Sequence, residues 1–399
     1  MKLNATILFF YCLTILGPFV DAFTGYLVLG RILEEGGIYS PSQLFRLLLL
    51  LVLFITLIKK QKGIPILVSI FFYAVMLEFT SFCFHNSGKG FALGIIYSTK
   101  IVYTLGIYFL TTWALENNVL TEKHITKLIS TGGIITASIL TLSFFMGIGY
   151  NTYAEGTFGF KGPFPGGNGL GVYLGVCLGL YINNINKLSR KDIFPLSVMF
   201  FSTVIIGTKT ALFLVLLSLI FVLYKSRFKI IIIPAAVIIG GYYFQSIYDV
   251  FFKVFDVIAF RVGKADNLLE YMLSNRDTYL VDAFKSWNID GFNALRVFFG
   301  SGVYVSFRSL RSLDGKYDTL ESDLWDLFFM YGLISSILYV TLIFWVLIKS
   351  YKKQLSITFF LIAFMCTHSI MAGHMLFNGM TGALFAMVVS VSTTLKSHS

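Results

Sequence analysis

One uncharged apolar run follows another along most of this 399-residue chain, and that pattern restricts what it can fold into more than any other feature. Apolar stretches of about 18 residues or more recur along it, near the length a membrane-crossing helix needs, and runs such as 47–58 and 333–348 within them carry no charge at all. A membrane β-barrel would show segments of about ten residues alternating apolar and polar, and these runs do not alternate. With 56% hydrophobic and 13% charged residues the chain falls outside the soluble globular range. The expected fold is an all-α polytopic membrane protein in a lipid bilayer, with one integral membrane domain over 1–399.

Twelve transmembrane helices can be drawn, at about 3–21, 43–58, 64–83, 91–113, 125–147, 168–186, 193–208, 210–224, 230–247, 322–348, 355–372 and 375–394. The first resembles a signal peptide with a small-residue site near Ala22, but an uncleaved helix closes the topology better. Basic clusters at Lys59–Lys62, Lys123 with Lys127, Lys187 with Arg190–Lys191, Lys225 with Lys229, and Lys349 with Lys353 all fall on one side if both termini are cytoplasmic. The net charge of +11 then reports membrane orientation and not nucleic-acid binding. Cys12, Cys83, Cys177 and Cys366 all lie in expected spans, without a metal-ligand spacing.

That orientation puts the longest polar stretch, 249–320, outside the cytoplasm. It is a large extracytoplasmic loop with nine basic and nine acidic residues. Apolar residues at helical spacing over 250–258 and 279–287 predict two amphipathic helices, the second capped by Asn275. The spans at 193–208 and 210–224 are short, about 24 Å for sixteen residues against a hydrocarbon core of about 30 Å. Their joint, Gly207-Thr-Lys-Thr210, is expected below the membrane surface, with Lys209 lining a cavity.

Outer loops are poor in lysine and arginine, so Lys161 and Lys209 ask for a reason. Lys161 stands in a Gly/Pro-rich segment ending at Asn168, where close backbone approach and a helix start suit an anion; a hairpin capped by Asn168 accounts for the same residues. Arg276 and Arg296 are the preferred loop candidates for gripping phosphate, set against a surface of mutually neutralising charges. Glu321, Asp323 and Asp326 open a span; Glu321 suits a general base, and helix capping is its plainer role. His368 and His374 lie near the turn between the last two spans, and His374 is placed to hydrogen-bond a substrate. Glu78 and Lys100, buried in neighbouring spans, are expected to pair.

Four segments together resemble the O-antigen polymerase and O-antigen ligase superfamily of bacterial envelope enzymes. They are Gly-Pro-Phe-Pro-Gly-Gly-Asn168, Gly-Thr-Lys-Thr-Ala211, Leu-Glu-Ser-Asp323 ahead of Tyr-Gly-Leu333, and Ala-Gly-His374. The likeness covers the chain from about Tyr150 onward, and the Glu-Ser-Asp and Ala-Gly-His pair looks more like the polymerases. The resemblance implies a GT-C-like membrane glycosyltransferase of the bacterial inner membrane, polymerising undecaprenyl pyrophosphate-linked oligosaccharides at its outer face. It implies neither metal nor other cofactor, and a chain-length regulator protein as possible partner. By position it gives Arg276, Arg296 and Lys209 the pyrophosphate, Lys161, Asn168 and Asp323 further substrate contacts, and Glu321 and His374 the catalytic roles. Lysine stands near Asn168 and in the short hairpin, where family members carry arginine. The rival readings are a secondary transporter or lipid-linked oligosaccharide flippase, favoured by twelve spans and the buried Glu78 and Lys100, and a ligase.

Overall fold

A computed structural model describes residues 5–33, 40–152, 159–185, 189–225, 280–281, 283–284, 294–303, 320–353 and 356–394. Nearly all of them are helical. The helices are α1 (Ala5–Tyr11), a π-helical turn (Cys12–Leu16), α2 (Gly17–Leu29), α3 (Pro41–Lys60), α4 (Ile64–His85), α5 (Gly88–Glu116), α6 (Glu122–Phe145), α7 (Gly167–Asn184), α8 (Arg190–Ile206), α9 (Lys209–Lys225), α10 (Ala294–Phe299), α11 (Asp323–Lys353), α12 (Ile357–Ala372) and α13 (Gly379–Thr393). A short antiparallel pair, β1 (Tyr150–Asn151) and β2 (Phe160–Gly162), precedes α7.

Among the described residues, six helices are long and apolar enough to cross a membrane: Ala5–Leu29 taken through its π turn, α3, α4, α5, α6 and α11. Their lateral surfaces keep apolar residues exposed, such as Phe72, Leu51 and Phe84. In water that surface would drive aggregation; against lipid tails it is at no disadvantage. Helices overlie eleven of the twelve expected spans. The twelfth, 230–247, lies outside the described residues, as do Arg276 and both expected amphipathic helices apart from four residues of the second.

The chain divides into two compact units, one formed by residues 1–52, 117–264 and 356–361, the other by 53–116, 265–355 and 362–399. In the first, α7 is the centre, buried along nearly its whole length among α6, α8 and α9. Glycines on its face admit these neighbours: a methyl group on Gly171 would lie 2.6 Å from Thr208 Oγ1, and one on Gly175 would meet Leu214. The first span packs into this unit, with Gly25 against the Pro163 carbonyl and the Thr14 carbonyl of the π turn against Gly132. It is tied to α3 by Asp21, whose carboxylate takes two 2.8 Å hydrogen bonds from Arg46. The start of α8 is fixed by a capping box, in which the Ser189 hydroxyl donates to Asp192 at 2.5 Å and holds that carboxyl below its ordinary range.

In the second unit α4, α5 and α13 pack with α11, which is not one continuous helix. Gly332 has φ +81° and ψ 178°, dividing α11 into Asp323–Tyr331 and Leu333–Lys353. That backbone region is essentially reserved for glycine, and a Cβ there would also strike the backbone of Phe298 and Phe299. Gly332→Ala is therefore expected to cost roughly 2–3 kcal/mol, read as a lower thermal midpoint of the detergent-solubilised protein. An unchanged midpoint would mean that the break is not required.

Candidate functional site

The second unit brings together two of the segments singled out in the sequence, Leu-Glu-Ser-Asp323 and Ala-Gly-His374. α12 has only 16 residues and rises about 24 Å, so the turn from Gly373 to Asn378 falls short of a full hydrocarbon core. Asn378 begins the next helix, its side-chain oxygen accepting from Met380 N at 3.0 Å and Thr381 N at 3.3 Å. Against this turn rests the entry to α11. The backbone of Glu321 and Ser322 lies where a Cβ on Gly373 would fall, and the Ser322 hydroxyl donates to the Ile370 carbonyl at 2.6 Å.

Asp323 joins the two segments. It is completely buried, and its Oδ2 accepts from Met375 N at 2.9 Å, Leu376 N at 3.2 Å and the Ser369 hydroxyl, which also meets the Tyr339 hydroxyl. Of the substrate-contacting role expected for Asp323 the geometry leaves an anchoring one: the side chain reaches across to the 373–376 turn and away from any surface. Asp326, also buried, turns back to accept from Leu320 N at 2.8 Å. The two acids share the start of one helix and serve two different backbones.

Glu321 and His374 both stand in the left-handed region, at φ +57° and +68°. Glu321 belongs to the backbone that meets Gly373, and His374 follows that glycine, so two left-handed non-glycine residues flank one close contact that surrounding structure must hold in place. Glu321 is half-buried; the His374 carbonyl accepts from the Thr381 hydroxyl, and its Nε2 is shielded from solvent.

Arg296 lies in the same unit on the short α10, with Nε donating to Ser301 at 3.1 Å. Gly300 and Gly332 interlock: a Cβ on either would meet the other segment's backbone. Tyr73 of α4 spans the joint, its hydroxyl 3.0 Å from both the Phe299 and the Tyr331 carbonyls. The expected Glu78–Lys100 pair does not form. The Glu78 carboxylate takes the Val303 N–H at 2.9 and 3.2 Å and a hydrogen bond from the Tyr331 hydroxyl, whereas the Lys100 ammonium lies 4.4 Å above the Tyr97 ring.

The first unit collects Lys161, Asn168 and Lys209 at one end. Thr152, next to β1, donates to the Ile206 carbonyl at 2.6 Å, which ties the end of β1 to the end of α8. Thr208 caps α9 by accepting from Ala211 N at 3.2 Å and touches Gly171 of α7. Lys161 is turned into its own loop, donating to the Pro165 carbonyl at 2.8 Å with Tyr150 5.4 Å away. Asn168 is not the helix cap: Gly166 holds that position, without a side-chain bond, and Asn168 lies inside the first turn of α7, half-buried.

Sequence reasoning missed the Asp21–Arg46 pair, although opposite charges within two apolar runs were there to be matched. Among the described residues, no three His, Cys, Asp or Glu side chains gather as metal ligands would. No protein-family model, curated protein or solved structure matches the chain.

Proposed function

We propose that the chain is a membrane glycosyltransferase of the O-antigen polymerase type. In the reaction, a hydroxyl at the non-reducing end of a lipid-linked oligosaccharide attacks the anomeric carbon of the growing chain. A new glycosidic C–O bond forms, the bond from that carbon to the phosphate oxygen breaks, and undecaprenyl pyrophosphate departs with the electron pair. Glu321 takes the hydroxyl proton, and His374 hydrogen-bonds the acceptor sugar. By the resemblance alone, Arg276, Arg296 and Lys209 are assigned to the diphosphate, and Lys161 and Asn168 to further substrate contacts. In this reading the chain crosses the inner membrane twelve times, with both termini cytoplasmic and the 249–320 loop outside.

The observation that carries the proposal is the seating of Glu321–Asp323 on Gly373–Leu376, which unites the two segments nearest in character to the polymerases. Deleting the gene and resolving the surface polysaccharide on a gel tests it. A polymerase leaves single repeat units on the surface and no long-chain ladder. A ligase leaves no surface units. The broken helix at Gly332 supports a second reading, since transporters build substrate sites from interrupted helices. For a flippase, lipid-linked units accumulate on the cytoplasmic side. An intact ladder after deletion would overturn the polymerase assignment.

A further inference from the structure

Glu78 sits inside an apolar helix, 1% exposed, and the described residues offer its carboxylate no ion pair. A carboxylate in such a place is expensive, and where one persists a buried counter-charge or a coupled ion commonly stabilises it. Its surroundings point elsewhere. Both oxygens face the single N–H of Val303, the residue that ends the Arg296–Val303 segment. Gly94 of α5 lies so close that any side chain there would displace the carboxyl. Gly302 has φ +78°, and a Cβ on it would fall 2.8 Å from Oε2. Two glycines on unrelated segments thus leave room for one carboxyl group and no more.

The same helix holds the other end of that segment. Tyr73 engages the Phe299 carbonyl while Glu78 engages the Val303 amide, so α4 grips on both sides of the turn that carries Gly300 and Ser301. Ser301 in turn accepts from Arg296 Nε. The Arg296 guanidinium is thus bonded to the same turn whose far side Glu78 holds.

We infer that Glu78 is a positioning residue: it clamps the Arg296–Val303 segment through an acceptor oxygen, so that Arg296 is held to receive the substrate diphosphate. The clamp itself stands on geometry, whereas its consequence for diphosphate rests on the polymerase reading. A neutral acceptor should serve. Glu78→Gln keeps a carbonyl oxygen at the same reach, whereas Glu78→Leu keeps the bulk and strands the Val303 amide.

The test uses the full-length purified protein in detergent, with its four cysteines replaced by alanine and Val303→Cys as probe, a site 1% exposed that keeps its backbone N–H. The rate of N-ethylmaleimide labelling reports opening of the segment. Loss of the clamp by Glu78→Leu is expected to raise that rate about tenfold or more, with Glu78→Gln within about twofold of the parent. Equal rates for the parent and Glu78→Leu would overturn the clamp, as would Glu78→Gln labelling as fast as Glu78→Leu. If Glu78→Leu does not accumulate, Gly302→Ala carries the test: it must also label faster, and an unchanged rate is fatal to the idea. The diphosphate role is read separately, by synthesis with purified lipid-linked units. There Glu78→Leu should raise KM for the lipid substrate several-fold, Glu78→Gln should restore it, and Arg296→Ala should add little to Glu78→Leu. If the labelling pattern holds and KM does not move, the clamp stands and its link to diphosphate fails.

Discussion

Asp323→Ala is expected to destabilise the second unit by about 3–5 kcal/mol. Removing the carboxylate leaves the Met375 and Leu376 amides and the Ser369 hydroxyl without their acceptor in a place where the side chain was completely buried. Water would have to enter, or the 373–378 turn would have to leave Glu321 and Ser322. Asp323→Asn keeps one acceptor oxygen and brings an NH2 into a site built from donors, so roughly half the loss is expected. Ser369→Ala removes one donor to Asp323 and the partner of the Tyr339 hydroxyl but leaves both backbone amides served, at a cost of about 1–2 kcal/mol. Thermal unfolding in detergent, with proteolysis directed at the turn, should rank the variants Asp323→Ala, Asp323→Asn, Ser369→Ala from least to most stable. A midpoint for Asp323→Ala equal to the parent's would show that the carboxylate does not hold the two segments together.

The helices were legible because an apolar run about one membrane thick is a strong local signal; their caps were less so, since Gly166 and not Asn168 precedes α7. What the sequence did not disclose depends on contacts made at long range. The 322–348 run reads as one span because Gly332 within it changes neither hydropathy nor charge; the break becomes necessary only when Phe298 and Phe299 arrive against it. Glu78 was matched with Lys100 because an inventory of side chains contains only side-chain partners. The groups that meet it are a backbone amide and a tyrosine hydroxyl, both more than two hundred positions away. Asp323 and Asp326 illustrate the same limit, since three positions apart they read alike as acids at the start of one span. One serves its own entry loop and the other a different hairpin. The segments ending at Asp323 and His374 stood out in the sequence, and the hydrogen bonds that seat one on the other could not be read from it.

Glu321 is the position where catalysis and stability should part. Its backbone is at φ +57°, where a residue with a Cβ is strained by about 1 kcal/mol relative to glycine. Glu321→Gln preserves size and that strain, so the unfolding midpoint should stay close to the parent's. If the carboxylate takes the acceptor's proton, turnover with purified lipid-linked units should nevertheless fall by about 10²–10⁴. Glu321→Gly should lose turnover as fully, while its backbone term alone favours the variant by about 1 kcal/mol because glycine relieves the left-handed strain. A residue that served only to cap α11 would behave in the opposite way, with Glu321→Gly less stable and Glu321→Gln still active. Turnover by Glu321→Gln within tenfold of the parent would remove Glu321 from the chemistry and leave His374 as the remaining candidate at this contact.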